Sequence, residues 1–156
     1  MRISVVGGST CTDEQATLAE AVGREVASRG HVLVCGGRGG VMEAACRGAV
    51  EAGGHTVGIL PGDSPAAAND YVETPVVTGM GNARNALVVM NGDGVVAVDG
   101  GTGTLSEVGH ALDLGKPVAG LQTHRIDGVT GIEHVETALA AVAHVERAVA
   151  EGRNAP

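Results

Sequence analysis

Short runs rich in valine, isoleucine and leucine alternate along this chain with longer runs whose apolar residues recur at helical spacing. Residues 2–8, 31–37, 55–62, 74–79, 93–101 and 116–122 read as strands. Residues 13–30, 40–54, 81–91, 103–115 and 132–152 read as helices, and 63–73 as an irregular loop. Continuously apolar strands joined through helices require a parallel sheet covered on both faces, because such strands have no side they can show to water. The pattern therefore predicts an α/β fold: one doubly wound, Rossmann-like domain over residues 1–152, with helices on both faces and a frayed tail at 153–156.

A length of 156 residues is enough for one domain with a sizeable core. No apolar run approaches the roughly 18 residues that span a bilayer. The opening "MRISVVGGST" lacks the basic and then apolar pattern of a secretory signal. A cytoplasmic protein with no membrane partner is expected. Cys11, Cys35 and Cys46 form no C-x-x-C pair and read as structural thiols in a reducing compartment. The net charge is −8, Lys116 is the only lysine, and there is no Phe, no Trp and one tyrosine, Tyr71. A nucleic-acid groove needs a positive stripe and aromatic platforms, so nucleic acid is excluded as a partner.

Three of the strand-like runs end in glycine pairs: Gly7-Gly8, Gly36-Gly37 and Gly100-Gly101. Ligands of open parallel sheets bind beyond the carboxyl ends of the strands, where the strand order reverses. In "DGGTGTLSE", Gly100, Gly101 and Gly103 can let the backbone wrap an anion, with a positive φ expected at Gly101. Thr102 and Thr104 add hydroxyls, and the following helix points its positive end at the same spot. A phosphate is the natural guest. The loop is neither a Walker A sequence nor a G-x-G-x-x-G fingerprint. The second turn, "GGRGGVMEAA", with Gly36, Gly37 and Gly39, either grips the same ligand or packs the next helix on the sheet.

"GGRGGVMEAACRGAVEAGGHTVGILPG", "GMGNARNALVV" and "GGTGTLSEV" occur in this order over residues 3–121. Together they resemble the lysine decarboxylase-like Rossmann superfamily, which includes the lonely-guy phosphoribohydrolases and the molybdenum cofactor carrier proteins. "GNARN", where the hydrolases have an arginine–lysine pair, is more similar to the carrier branch. For the hydrolases, which cleave the N-glycosidic bond of nucleoside 5′-monophosphates, the resemblance implies a phosphate loop at Gly100, Gly101, Gly103 and Thr104, a motif glutamate at Glu107 and a catalytic arginine at Arg84. The sequence departs from the hydrolase motif at Asp99, where that motif has proline, and at Asn85, where it has lysine. For the carriers, the resemblance implies a pterin cofactor held through its phosphate without catalysis.

The chemistry of two residues points the same way. A carboxylate at Glu107, one turn past the glycine loop, can face the ribose of a ligand whose phosphate occupies the loop, and could stabilise a developing cation there. Arg84 can grip a phosphate, or can pair with Glu107 and merely stitch two helices together. Glu107 and His110 have the i,i+3 spacing of some metal sites, but no second such pair exists, so no metal is expected. Cys11 has no activating neighbour in the sequence, and Asp113 and Lys116 read as surface or turn residues.

Three readings remain at this point. The preferred one is a binding or carrier protein for a phosphate-bearing, nucleotide-like or pterin ligand, with the molybdenum cofactor or a nucleotide as bound ligand and no cofactor required. The others are a nucleoside 5′-monophosphate phosphoribohydrolase and a nucleotide sensor. Residues 82–91 are apolar almost all round, which predicts a homodimer or homotetramer built through that helix and the next one.

Overall fold

The computed structural model describes residues 1–153. Seven strands form one sheet: β1 (Arg2–Gly7), β2 (Val32–Cys35), β3 (Thr56–Leu60), β4 (Thr74–Val77), β5 (Gly94–Val98), β6 (Val118–Leu121) and β7 (Ile132–His134). Their order is β4-β3-β2-β1-β5-β6-β7, and every pairing is parallel. The chain winds outward from β1 to β4, returns to the other side of β1 at β5, and winds outward again. The strand order thus reverses between β1 and β5, where this architecture opens its ligand crevice.

Alternation along each strand sends residues to two core layers. Ile3, Val5, Leu33, Val96 and Val98 pack under α1 (Asp13–Ser28), α2 (Val41–Glu51) and α5 (Ala138–Arg153). Val6, Val34, Val95 and Ala97 pack under α3 (Asn85–Met90) and α4 (Thr102–Asp113). Ser4, buried on the second face, satisfies its hydroxyl by donating to the Val88 carbonyl at 2.7 Å. Cys35 and Cys46 are buried in the first layer, and all three cysteines are free thiols.

Two sequence expectations are corrected. The helix expected over 132–152 begins only at Ala138, and residues 132–134 add β7 to the edge of the sheet. Val118 pairs with Ile132 and Gly120 with His134, so the open edge of β6 takes up this backbone. Thr137 then starts the helix, its hydroxyl accepting from the Ala140 amide at 3.1 Å. Ile132 had extended the helical pattern by coincidence of spacing. The helix expected over 81–91 is a 3-10 turn, Gly81–Arg84, followed by the short α3. Arg153 closes α5, and the rest of the tail expected to fray lies outside the described residues.

Lys116 is not a mere surface residue. Its ammonium donates to the Val89 and Met90 carbonyls at 2.8 Å each and to the Gly92 carbonyl. A cation at these carbonyls closes the C-terminal end of α3, where unpaired acceptors and the negative helix pole both favour it.

Candidate functional site

A cleft of about 480 Å³ opens at the carboxyl ends of β1 and β5. The first and third glycine turns form two of its walls: Gly7 and Gly8 on one side, and Asp99, Gly100, Gly101, Thr102, Gly103 and Thr104 on the other. Arg84, Asn85 and Glu107 also line it. Ser9 and Thr10 after β1, Met42 on α2 and Asn82 complete the wall, and sequence reasoning had not singled them out. The hydroxyls of "GGST" were the available signal for Ser9 and Thr10.

The second glycine turn does not line the cleft. A Cβ at Gly37 would stand 2.7 Å from the Leu60 side chain, and at Gly39 3.3 Å from the Ser9 carbonyl. Gly36 lies beneath Arg84 and accepts a hydrogen bond from its Nη2 at 3.3 Å. That turn therefore packs α2 onto the sheet and seats Arg84.

The helix starts around the cleft differ in what they offer an anion. Thr12 and Gln15 close the start of α1 with a reciprocal capping box, and Asp13 and Glu14 occupy its first turn. At α2, Glu43 sits in the first turn. At α4 the N-cap is Gly101, with no capping side chain and no acid in the first turn. The positive pole of α4 thus faces the cleft without a resident partner. Gly100, at φ 117, makes the turn into the helix, and a Cβ there would fall 2.2 Å from the Thr104 hydroxyl. Gly101 has φ −99, so the positive φ expected at 101 falls at 100, and the space beside Gly101 is open. Asp99 is also held at positive φ, 48°, by its amide donating to Leu121 and by Thr123 Oγ1 donating to its carbonyl. His124 Nε2 donates to the Gly101 carbonyl at 3.0 Å.

Arg84 and Glu107 are both buried in the wall, 8% and 6% exposed. They form no salt bridge, so the stitching pair is absent. Arg84 instead donates to the Asn85 side-chain carbonyl and to Gly36, while its Nε is buried without a partner. Burial pushes this guanidinium below its ordinary value, against the opposing charge of Glu107. Burial likewise pushes Glu107 up to about 7, with Arg84 opposing. Asn85 carries the connection onward: its Nδ2 donates to Ser106 Oγ at 3.1 Å, and Ser106 donates to the Gly103 carbonyl at 2.7 Å. A relay from arginine to the glycine loop is the work of an asparagine at this position, and a lysine has no acceptor with which to receive Arg84.

Other candidates are peripheral. Burial, then Asp99 and Asp13, push the Cys11 thiol up against the opposing charge of Arg47, the reverse of the shift that makes a reactive thiolate. His110 and Asp113 are exposed on α4. Among the described residues, no three His, Cys, Asp or Glu side chains are grouped to hold a metal ion, and no helix is long and apolar enough to cross a membrane.

Comparison with known proteins matches residues 1–149 to the model of the SLOG cluster4 family. An uncharacterized protein of Archaeoglobus fulgidus is 44% identical over 122 residues, covering 78% of this chain and 80% of that one. The solved structure of the Moco carrier protein from Chlamydomonas reinhardtii is similar with a TM-score of 0.86 at 35% identity, covering 96% and 98% of the two chains. The cytokinin riboside 5′-monophosphate phosphoribohydrolase of Rhodococcoides fascians is 38% identical over 95 residues, 58% of this chain and 48% of that protein.

Proposed function

This chain belongs to the SLOG cluster4 family, and from that premise we propose that its cleft binds and retains a small phosphate-bearing ligand, nucleotide-like or pterin, as a carrier of the molybdenum cofactor type. The observation that carries the reading is the convergence of an uncapped α4 N-terminus and a buried Arg84 whose Nε has no partner. A buried guanidinium with an unpaired donor is costly, and an anion in the cleft offsets that cost. The phosphate end of such a cofactor fits these residues: Gly101 leaves open space where it would approach, and the free amides of α4 face it. The cofactor is cargo here, and Arg84, Gly101, Thr102 and Gly103 do the holding. Asp99 at the loop's edge favours a ligand that offers a hydroxyl or amine beside its phosphate.

Hydrolysis of a nucleoside 5′-monophosphate is the second reading, and Glu107 favours it. A carboxyl held in the wall at about 7 and making no hydrogen bond to a described residue can serve an acid, a base or a developing cation. Native mass spectrometry of protein purified from its own host should show a retained phosphate ester. Incubation with AMP should release no adenine. Release of adenine by the wild type, abolished by Glu107→Gln, would replace the carrier with the enzyme.

The reading includes a cytoplasmic location and a homodimer or homotetramer formed through α3 and α4. Met90 on α3, Leu105 on α4 and Leu114 just after α4 are 55%, 37% and 47% exposed, which supports a covered face. Light scattering at micromolar concentration should give at least twice the chain mass.

A further inference from the structure

We propose that the phosphate site continues into a second anion subsite built on Arg38, so that the ligand carries two adjacent phosphoryl groups, a diphosphate, rather than one. The inference rests on the phosphate reading of the cleft and extends it.

Arg38 is the only side chain in the turn from Gly36 to Gly40. The turn is pinned rather than loose: Asn69 Nδ2 donates to the Arg38 carbonyl at 2.8 Å, and the Asn69 amide donates to the Gly37 carbonyl at 2.9 Å. On one side of Arg38, Gly36 touches the Arg84 guanidinium; on the other, Gly39 approaches Ser9 in the cleft wall. Arg38 lies two positions beyond Gly36, a span of at most about 7 Å. The backbone thus holds the Arg38 main chain just outside the cleft lining, between one position that meets Arg84 and another that meets Ser9, both of which line it.

Its charge has no resident counterpart. Arg24, Arg29 and Arg47 each pair with glutamates. Arg38 is exposed, and no carboxylate among the described residues lies within salt-bridge distance of it, although the chain has 18 acidic residues against 10 basic ones. Arg38 also acts on Arg84 as a like charge. Two guanidiniums near one another, one with a buried unpaired donor, are brought into balance by an anion lying between them. A ligand whose first phosphoryl group sits on the α4 amides and Arg84, and whose second extends out of the cleft toward Arg38, would meet both guanidiniums.

Calorimetry of the full chain with inorganic phosphate and with inorganic pyrophosphate, both in chelator, tests this without assuming the rest of the ligand. The wild type should bind pyrophosphate at least about tenfold more tightly than phosphate, the gain of one charged hydrogen-bonded contact. Arg38→Ala should erase that advantage and leave phosphate affinity within about twofold. Arg147→Ala, which removes an exposed arginine from α5, should preserve it. Equal affinities for the two anions in the wild type, or equal losses in the two variants, would overturn the second subsite while leaving the phosphate site standing. Failure of the wild type to bind either anion would overturn the phosphate site, and the second subsite with it.

Discussion

Gly36 and Arg84 stand in a contact that only glycine permits: a Cβ at position 36 would lie 2.7 Å from Arg84 Nη2 and 2.8 Å from the Met42 sulfur. Both neighbours are the far ends of flexible side chains. Gly36→Ala should therefore leave the fold intact and push Arg84 off its seat. Phosphate affinity should fall by roughly 1.5–3 kcal/mol, the range for a hydrogen bond to a charged group. Calorimetry alongside thermal unfolding checks this; full affinity in a folded variant would mean that Arg84 does not hold the anion.

Glu107 makes stability depend on pH. Its folded value is raised to about 7 from 4.5, so the folded state favours the neutral carboxyl. The stability it contributes is fully present below about 4.5 and is lost as pH rises through about 7. A shift of this size corresponds to about 3 kcal/mol. Glu107→Gln keeps the shape and cannot ionise, so the variant should be more stable than the wild type at pH 8 and indistinguishable from it at pH 4. Parallel unfolding curves at the two pH values would refute a desolvated carboxyl at this position.

The neighbouring glycines of the loop before α4 should fail in opposite ways. Gly100→Ala meets Thr104 and forces an L side chain to φ 117, so it should destabilise the fold by about 1–3 kcal/mol from the backbone alone, with the collision in addition. Gly101→Val enters open space at an ordinary φ and should unfold at the wild-type temperature while losing phosphate. Unchanged phosphate affinity in folded Gly101→Val would place the anion elsewhere.

Lys116 links two elements that are distant in sequence. Lys116→Met keeps much of the aliphatic stem and removes the donor from the carbonyls of Val89, Met90 and Gly92. The expected loss is roughly 1.5–3 kcal/mol, visible in denaturant unfolding. Since α3 carries Asn85, the variant should also weaken phosphate binding.

The parallel sheet and the glycine loop before α4 were legible in the sequence because both are local patterns: apolar strands, helical spacing, and small residues at strand ends. Asn82, Met42 and Ser106 were not, since the fold alone brings Asn82 and Met42 to the cleft wall and Ser106 to Asn85. Asn85 stood in the sequence only as a departure from a motif, and the Arg84–Asn85–Ser106–Gly103 relay supplies its role. The misread start of α5 has the same cause. Residues 132–134 satisfy a helical period, but the unpaired edge of β6 offers their backbone hydrogen bonds that a local pattern cannot register.

By itself the sequence determined the architecture, since the order of its apolar runs leaves few ways to bury them, and it placed a glycine-rich turn between β5 and the helix that follows it. Only the tertiary structure decided which glycine of the loop carries the positive φ, that Arg84 and Glu107 form no salt bridge, and that exposed Arg38 has no carboxylate within salt-bridge distance. Those outcomes depend on distances between segments dozens of residues apart. Chain entropy and packing of the whole domain set such distances, and no local run of residues encodes them.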